Sequence, residues 1–148
     1  MLRISKMTDY AIMVMVELST SRGEVLSAHA LADRSGLELP TVSKVLKLLV
    51  KMGLVDSYRG ATGGYTLERD AQDISVAEII TAIEGPIAMT ECSAEEGLCA
   101  QEAMCNLRGN WQRISIAVAE AMERVSLAEM AQPAKSIKNP LHITTQNI

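Results

Sequence analysis

The chain has 148 residues and a formal net charge of −4, with 48% hydrophobic and 22% charged residues. That is one domain's length with apolar content enough for a core, which excludes a disordered chain, and 9 Gly and 4 Pro exclude a collagen-like or low-complexity one. Three Tyr, one Trp and no Phe leave Leu, Ile, Val, Ala and nine Met to build the core.

No uncharged run approaches the roughly 20 residues of a membrane span. The apolar stretch Ala11 to Val16 is short and followed by no small-residue cleavage pattern, which predicts no signal peptide and a cytoplasmic protein. Charge divides unevenly: residues 1–70 balance at +1 and residues 71–148 at −5. Lys44, Lys47, Lys51 and Arg59 lie together against Asp56 alone, a local positive patch that a low overall pI does not cancel.

Thr8 is read as the N-cap of a first helix running to about Ser21, with Ile12, Val16, Met13 and Met15 on its buried face. A second helix is expected after Ser27, over Ala28 to Arg34, closed by Gly36 in a left-handed conformation. Pro40 suits the first turn of a third helix, where Val42, Val45, Leu46 and Leu49 form one apolar stripe and Gly53 stops it. Leu54 to Arg59 and Tyr65 to Leu67, joined by the Gly60 to Gly64 turn, read as a β-hairpin. Ser75 with Glu78 predicts a capping box opening a fourth helix that ends at Gly85-Pro86. Residues 87–98 read as loop, and a short helix is expected around Ala100 to Leu107. Trp111, Ile114, Val118, Ala121, Val125 and Ala128 form a heptad seam on a long helix from about Gly109 to Met130.

Three helices and a hairpin are the order of a winged helix–turn–helix. The fold class is therefore mainly α with a small β-hairpin, ending in a long dimerisation helix. The expected units are a DNA-binding domain over 1–70, a connecting helix and cysteine loop over 71–108, a dimerisation helix over 109–132 and a flexible tail over 133–148. Thr41, Ser43, Lys44 and Lys47 are placed to meet base edges and phosphates, and Arg59 at the hairpin tip to reach flanking backbone or minor groove. The alternative for the lysines is a solvated helix face. The glycine turn joins two strands and lacks the Gly-Lys-Ser/Thr ending of a phosphate-binding loop. No catalytic constellation is evident, so no enzyme is expected.

Cys92, Cys99 and Cys105 fall in one 14-residue window as C-x6-C-x5-C. Three clustered thiols in a cytoplasmic chain point to a soft metal or an iron–sulfur cluster rather than a disulfide framework. Their gaps are wider than the C-x2–4-C pairs of tight zinc sites, which favours a cluster over zinc. A thiol switch and three inert cysteines are the other readings. His29 and His142 lie elsewhere in the sequence, and Glu91, Glu95, Glu96 and Glu102 read as a solvated acidic run.

Thr8-Asp9-Tyr10-Ala11, Ala30-Leu31-Ala32 leading to Gly36-Leu37, Gly53-Leu54-Val55, Tyr58-Arg59-Gly60, Gly63-Gly64-Tyr65-x-Leu67, Ile79 to Ile83 and the cysteine loop occur in one order. Over roughly residues 1–130 this pattern resembles the bacterial iron–sulfur regulator family of IscR-type and NsrR-type transcription factors, and most of all regulators of the SUF cluster-assembly operon. The resemblance implies a homodimeric, operator-binding regulator, a repressor by this reading, whose iron–sulfur cluster alters DNA binding. Cys92, Cys99 and Cys105 would be ligands, with 2Fe–2S placed ahead of 4Fe–4S. Where IscR-type members carry a His, three residues after the third cysteine, this chain has Arg108. Its Thr8-Asp9-Tyr10 is similar to the NsrR-type N-terminus, which makes Asp9 a candidate fourth ligand to the partner subunit's cluster. The alternative for Asp9 is a helix-start carboxylate facing the macrodipole. Rival functions are an iron–sulfur electron-transfer protein and a zinc-stapled interaction module.

Overall fold

The computed structural model describes residues 3–21, 23–97, 99–100 and 104–133. In chain order the elements are α1 (Lys6–Thr20), α2 (Ala28–Ser35), α3 (Leu39–Lys51), β1 (Val55–Tyr58), β2 (Gly64–Leu67), α4 (Val76–Glu84), α5 (Glu91–Ala94), α6 (Arg108–Glu123) and α7 (Leu127–Met130).

The first helix starts earlier than expected. Ser5, not Thr8, is its N-cap, with Ser5 Oγ accepting from Thr8 N–H at 3.2 Å. Thr8 is fully buried in the first turn and donates its hydroxyl to Glu84. Ala11, Ile12, Val14, Met15 and Leu18 form the buried face, while Met13 points outward. α1 packs against α2, α3, α4, α7 and β2, so it is the axis on which the winged domain is assembled.

Ser27 caps α2 through Ala30 N–H, and Gly36 closes it at φ +69°, the left-handed conformation that costs glycine least. Ala32 and Leu37 sit at the resulting corner, buried and partly buried against the core. Pro40 lies in the first turn of α3, and Val42, Val45, Leu46 and Leu49 are all fully buried on one face.

β1 and β2 pair antiparallel with Val55 opposite Leu67 and Tyr58 opposite Gly64. β1 is shorter than expected, with Leu54 and Arg59 outside it, and β2 starts one residue earlier, at Gly64. Leu26 adds a one-residue third strand, its N–H and C=O bonded to Tyr65 at 3.0 and 2.8 Å. The backbone there comes so close that a Cβ on Gly64 would collide with the Leu26 carbonyl. On Gly63 it would strike the Tyr58 carbonyl, so both positions need glycine for space.

Ser75 and Glu78 form the expected capping box of α4, which ends before Gly85-Pro86. The segment expected as loop over 87–98 contains the single turn α5. The short helix expected around 100–107 falls partly on residues 101–103, outside those described; Cys105 to Leu107 are not helical and lead straight into α6. The 133–148 tail lies outside the described residues beyond Pro133.

The expected continuous helix over 109–130 is divided. α6 ends at Glu123, and Ser126 starts α7 with its own capping box to Glu129. Leu127 is fully buried, and the chain here is stitched to the segment before α4 by Leu127 N–H to Ile74 O at 2.8 Å and Val76 N–H to Val125 O at 2.9 Å. Burying a leucine side chain is worth about 1.5–3 kcal/mol. That gain and the box outweigh the loss of a few helical hydrogen bonds, so Val125 and Ala128 leave the heptad seam.

Candidate nucleic-acid interface and cysteine centre

The exposed side of α3 is set by its buried side. With Val42, Val45, Leu46 and Leu49 inward, Lys44, Lys47 and Lys51 share the opposite, exposed face, and Thr41 and Ser43 flank it half-buried. Arg59 is exposed in the loop between β1 and β2, beside Tyr58, which is 52% exposed. These are the residues expected to meet DNA: Lys44, Lys47 and Arg59 are exposed, the first two on α3 and the third in the hairpin loop, and Thr41 and Ser43 are half-buried.

Their charge is unspent. Arg34 pairs with Glu17 at 3.2 Å, Arg69 with Glu78 at 2.7 Å, Arg108 with Glu96 at 2.9 Å and Arg124 with Glu120 at 3.6 Å. Among the described residues Lys44, Lys47, Lys51 and Arg59 make no ion pair. A cation already paired must give up its partner to bind a phosphate, whereas these four need only release counterions.

All three cysteines are free, Cys92 buried on α5 and Cys99 and Cys105 half-buried in the loop that leads to α6. Among the described residues no group of three or more His, Cys, Asp or Glu is drawn together to hold a metal ion. The thiols share a segment but do not form a closed cage. The donor set itself suits a thiophilic group: three free thiols on α5 and the stretch of chain that follows it. Asp9 is exposed in the first turn of α1, lining surface hollows with Arg3, Ile12 and Met130, and no cysteine lies in them. Glu91, Glu95 and Glu96 are exposed, and Glu102 lies outside the described residues. His29 is exposed on α2 and His142 lies outside the described residues.

Several residues that matter here have no local sequence signal. Thr90, Ser93 and Ser115 build a hydroxyl network around Cys92. Arg108 Nε donates to the Cys92 carbonyl at 3.3 Å while its Nη1 holds Glu96. Glu84 accepts from Ser5 N–H at 3.0 Å and from the Thr8 hydroxyl, joining the end of α4 to the start of α1. Those two bonds hold its carboxyl below the usual range against the opposing cost of burial. The Ser126-x-x-Glu129 box, by contrast, is legible as a helix start.

The expected seam is partly realised. Trp111, Ile114 and Ala121 are exposed on α6 and Val118 half-exposed, an apolar stripe with no cover in the single chain.

Comparison with known proteins places this architecture. The family model described as an iron-dependent transcriptional regulator, Rrf2, matches residues 4–133. The HTH-type transcriptional regulator IscR of Sodalis glossinidius is 31% identical over 131 residues, covering 87% of this chain and 78% of that protein. The same regulator from Xenorhabdus nematophila is 32% identical over 133 residues, covering 88% and 80%. Among solved structures, T. potens IscR is 30% identical with a TM-score of 0.63, covering 90% of this chain and 93% of that one. CymR, the global cysteine regulator of B. subtilis, is 32% identical with a TM-score of 0.69, covering 88% and 97%. These are regulators and not enzymes, and among the described residues no helix is long and apolar enough to cross a membrane. A match of this extent, on a winged helix with its free cations in place, establishes that the chain belongs to the Rrf2 family of DNA-binding transcriptional regulators.

Proposed function

We propose that the chain is a cytoplasmic homodimeric repressor whose operator affinity depends on an iron–sulfur cluster held by Cys92, Cys99 and Cys105. The genes it controls are, by the same reading, those of iron–sulfur cluster assembly. The observation that carries this is the position of three free thiols on the one segment joining the winged domain to α6. A 2Fe–2S cluster is preferred to 4Fe–4S, and Asp9 of the partner subunit is the fourth ligand. Its exposure in the first turn of α1 leaves its carboxylate open to a second chain.

The chain's own residues then have distinct parts. Gly36 sets the angle at which α3 leaves α2, and the buried leucine–valine stripe fixes α3 in rotation so that Lys44 and Lys47 face outward. Thr41 and Ser43 supply hydroxyls at the groove edge, and Arg59 extends the contact from the wing. Trp111, Ile114, Val118 and Ala121 lie against the same stripe of the second chain, which spaces two α3 helices for successive major grooves. A bound cluster supplies an oxidisable group that can be lost. Cys92, Cys99 and Cys105 would hold it, and a coupling of about 1–3 kcal/mol between that segment and the operator would change affinity about 5- to 150-fold.

The test is anaerobic purification with iron and sulfide analysis, a visible spectrum and operator titration. Cys92→Ala and Cys99→Ser are expected to lose the colour and shift operator affinity. Colour lost with affinity unchanged overturns the sensing role, and an iron-free protein as isolated from iron-replete cells overturns the cluster. The resemblance to a cysteine regulator and the open arrangement of the thiols favour, as the second reading, a DNA-binding regulator without a cluster. That reading expects no iron and normal DNA binding.

A further inference from the structure

Trp111 is the chain's one tryptophan, 39% exposed near the start of α6, and its indole N–H meets no acceptor among the described residues. Further along, α6 borders a hollow of about 440 Å³ lined by Ile80 of α4, by Ile87 on the way to α5, and by Val118 and Met122 of α6 itself. Glu84 is the one carboxylate among the residues that line it, and Ile4, 43% exposed just ahead of α1, is another of its walls. Val118 belongs both to this hollow and to the apolar stripe of Trp111, Ile114, Val118 and Ala121. Whatever covers the stripe therefore borders the hollow.

A two-fold dimer makes every contact twice: where residue i of one chain meets j of the other, j meets i. Parallel α6 helices would set Trp111 on Trp111, and Met122 would then lie about 16 Å further along, at 1.5 Å per residue. Antiparallel helices turn about the middle of the stripe, between Ile114 and Val118. They set Trp111 across from Ala121 and Ile114 across from Val118, so the largest side chain meets the smallest. Met122 is the next residue, and the ring overhangs the hollow. Charge favours the antiparallel choice. Arg108 and Arg113 lie in the first half of α6 and Glu120 and Glu123 in the second, and the helix dipole has the same sense. Arg124, just beyond, offsets part of the acidic end. Antiparallel neighbours oppose unlike ends, parallel ones like ends.

We propose that this hollow is the socket for Trp111 of a second copy of the chain. The ring's apolar body meets Ile80, Ile87 and Met122, and its N–H finds Glu84. The Ser5 N–H and the Thr8 hydroxyl both bond Glu84 Oε1, which leaves Oε2 for a third donor. A tryptophan N–H ordinarily has such a partner when the ring is buried. Arg3 and Ile4 line both this hollow and the one that holds Asp9. A seated partner therefore carries the start of its α6, just after its cysteine segment, toward that carboxylate. The inference rests on the dimer proposed above and adds to it a direction of packing and an anchor.

The test irradiates full-length protein carrying Trp111→p-benzoylphenylalanine and maps the covalent dimer by digestion and mass spectrometry. Attachment to residues 80–89 or 118–122 of the second chain is expected. Attachment elsewhere, including the parallel outcome at 107–115, overturns the proposal, as does the absence of a covalent dimer from protein that sediments as one. If that variant does not fold, acrylamide quenching of the sole tryptophan in the unmodified chain decides. The reference is Ile114→Glu, which puts a charge in the stripe and is expected to be monomeric. Ala88→Phe puts a ring of the chain's own into the hollow. It is expected to raise quenching to the Ile114→Glu level and to weaken the dimer about tenfold or more, the scale of a buried aromatic anchor. Parent-like quenching and dimerisation in Ala88→Phe overturn the socket. A parent dimer whose tryptophan is as open to acrylamide as in Ile114→Glu leaves the hollow to another occupant and overturns it too. A parent that sediments as a monomer ends the dimer reading itself, so the two failures are told apart.

Discussion

A lysine or arginine on a protein surface contributes to DNA binding only insofar as its charge is not already neutralised. Arg34 and Arg69 are held by Glu17 and Glu78, whereas Lys47 and Arg59 are not held by any carboxylate among the described residues. Lys47→Ala and Arg59→Ala are therefore expected to lower the slope of log affinity against log salt by about 0.9 for each phosphate left without its cation. Arg34→Ala should leave it unchanged. Fluorescence anisotropy with duplex DNA selected from a random pool, at several salt concentrations, reads all three. The outward direction of Lys44 and Lys47 is legible in the sequence because the apolar spacing of α3 dictates it. Which cations are free is not, because Arg34 finds its carboxylate 17 residues away and on another helix.

At the scale of elements, the joints are hydrogen-bonded helix ends. Glu84, at the end of α4, takes the Ser5 N–H and the Thr8 hydroxyl at the start of α1, and its carboxyl lies below its ordinary 4.5. Because the folded value is the lower one, the joint's contribution is complete above about pH 4.5 and disappears as the pH falls through the folded value. Glu84→Gln keeps both acceptor bonds without the charge. Urea midpoints measured from pH 7 down to pH 3 should fall more steeply in the parent than in Glu84→Gln. The gap at neutral pH should stay below about 1 kcal/mol, since the carboxylate is exposed. Parallel curves would refute the assignment. Local boxes such as Ser75 with Glu78 are readable because both partners lie within one turn. Thr8 imitates a cap in the sequence because its true partner is 76 residues distant, and Ser5, two turns ahead of Ile12, carries no such signal.

In the whole molecule, the winged domain is closed around α1, while α6 presents Trp111, Ile114 and Ala121 to the outside. A 16.0 kDa chain with this stripe is expected to sediment as a dimer, and Ile114→Glu as a monomer with weakened operator binding. Sedimentation equilibrium at micromolar concentration checks both, and a monomeric parent would end the dimer model. The winged order of elements is legible because each signal is local: a left-handed glycine, a proline in a first turn, a glycine-rich hairpin. The cysteine window is legible as a cluster of one residue type. The convergence of Thr90, Ser93 and Ser115 on Cys92 is not, since it depends on how α5 docks on α6, and the break at Arg124 is hidden by a heptad that runs through it in sequence but not in space.

That break leaves α6 anchored at both ends and packed against α4 between them. Its far end turns at once into α7, whose Leu127 is sunk in the core and bonded to Ile74, so it moves only with the reading head. Its near end is held by the hydroxyls and the Arg108 guanidinium around Cys92. A disturbance at the cysteines therefore meets α6 at its start, while the buried Leu127 ties the other end to the core of the winged domain.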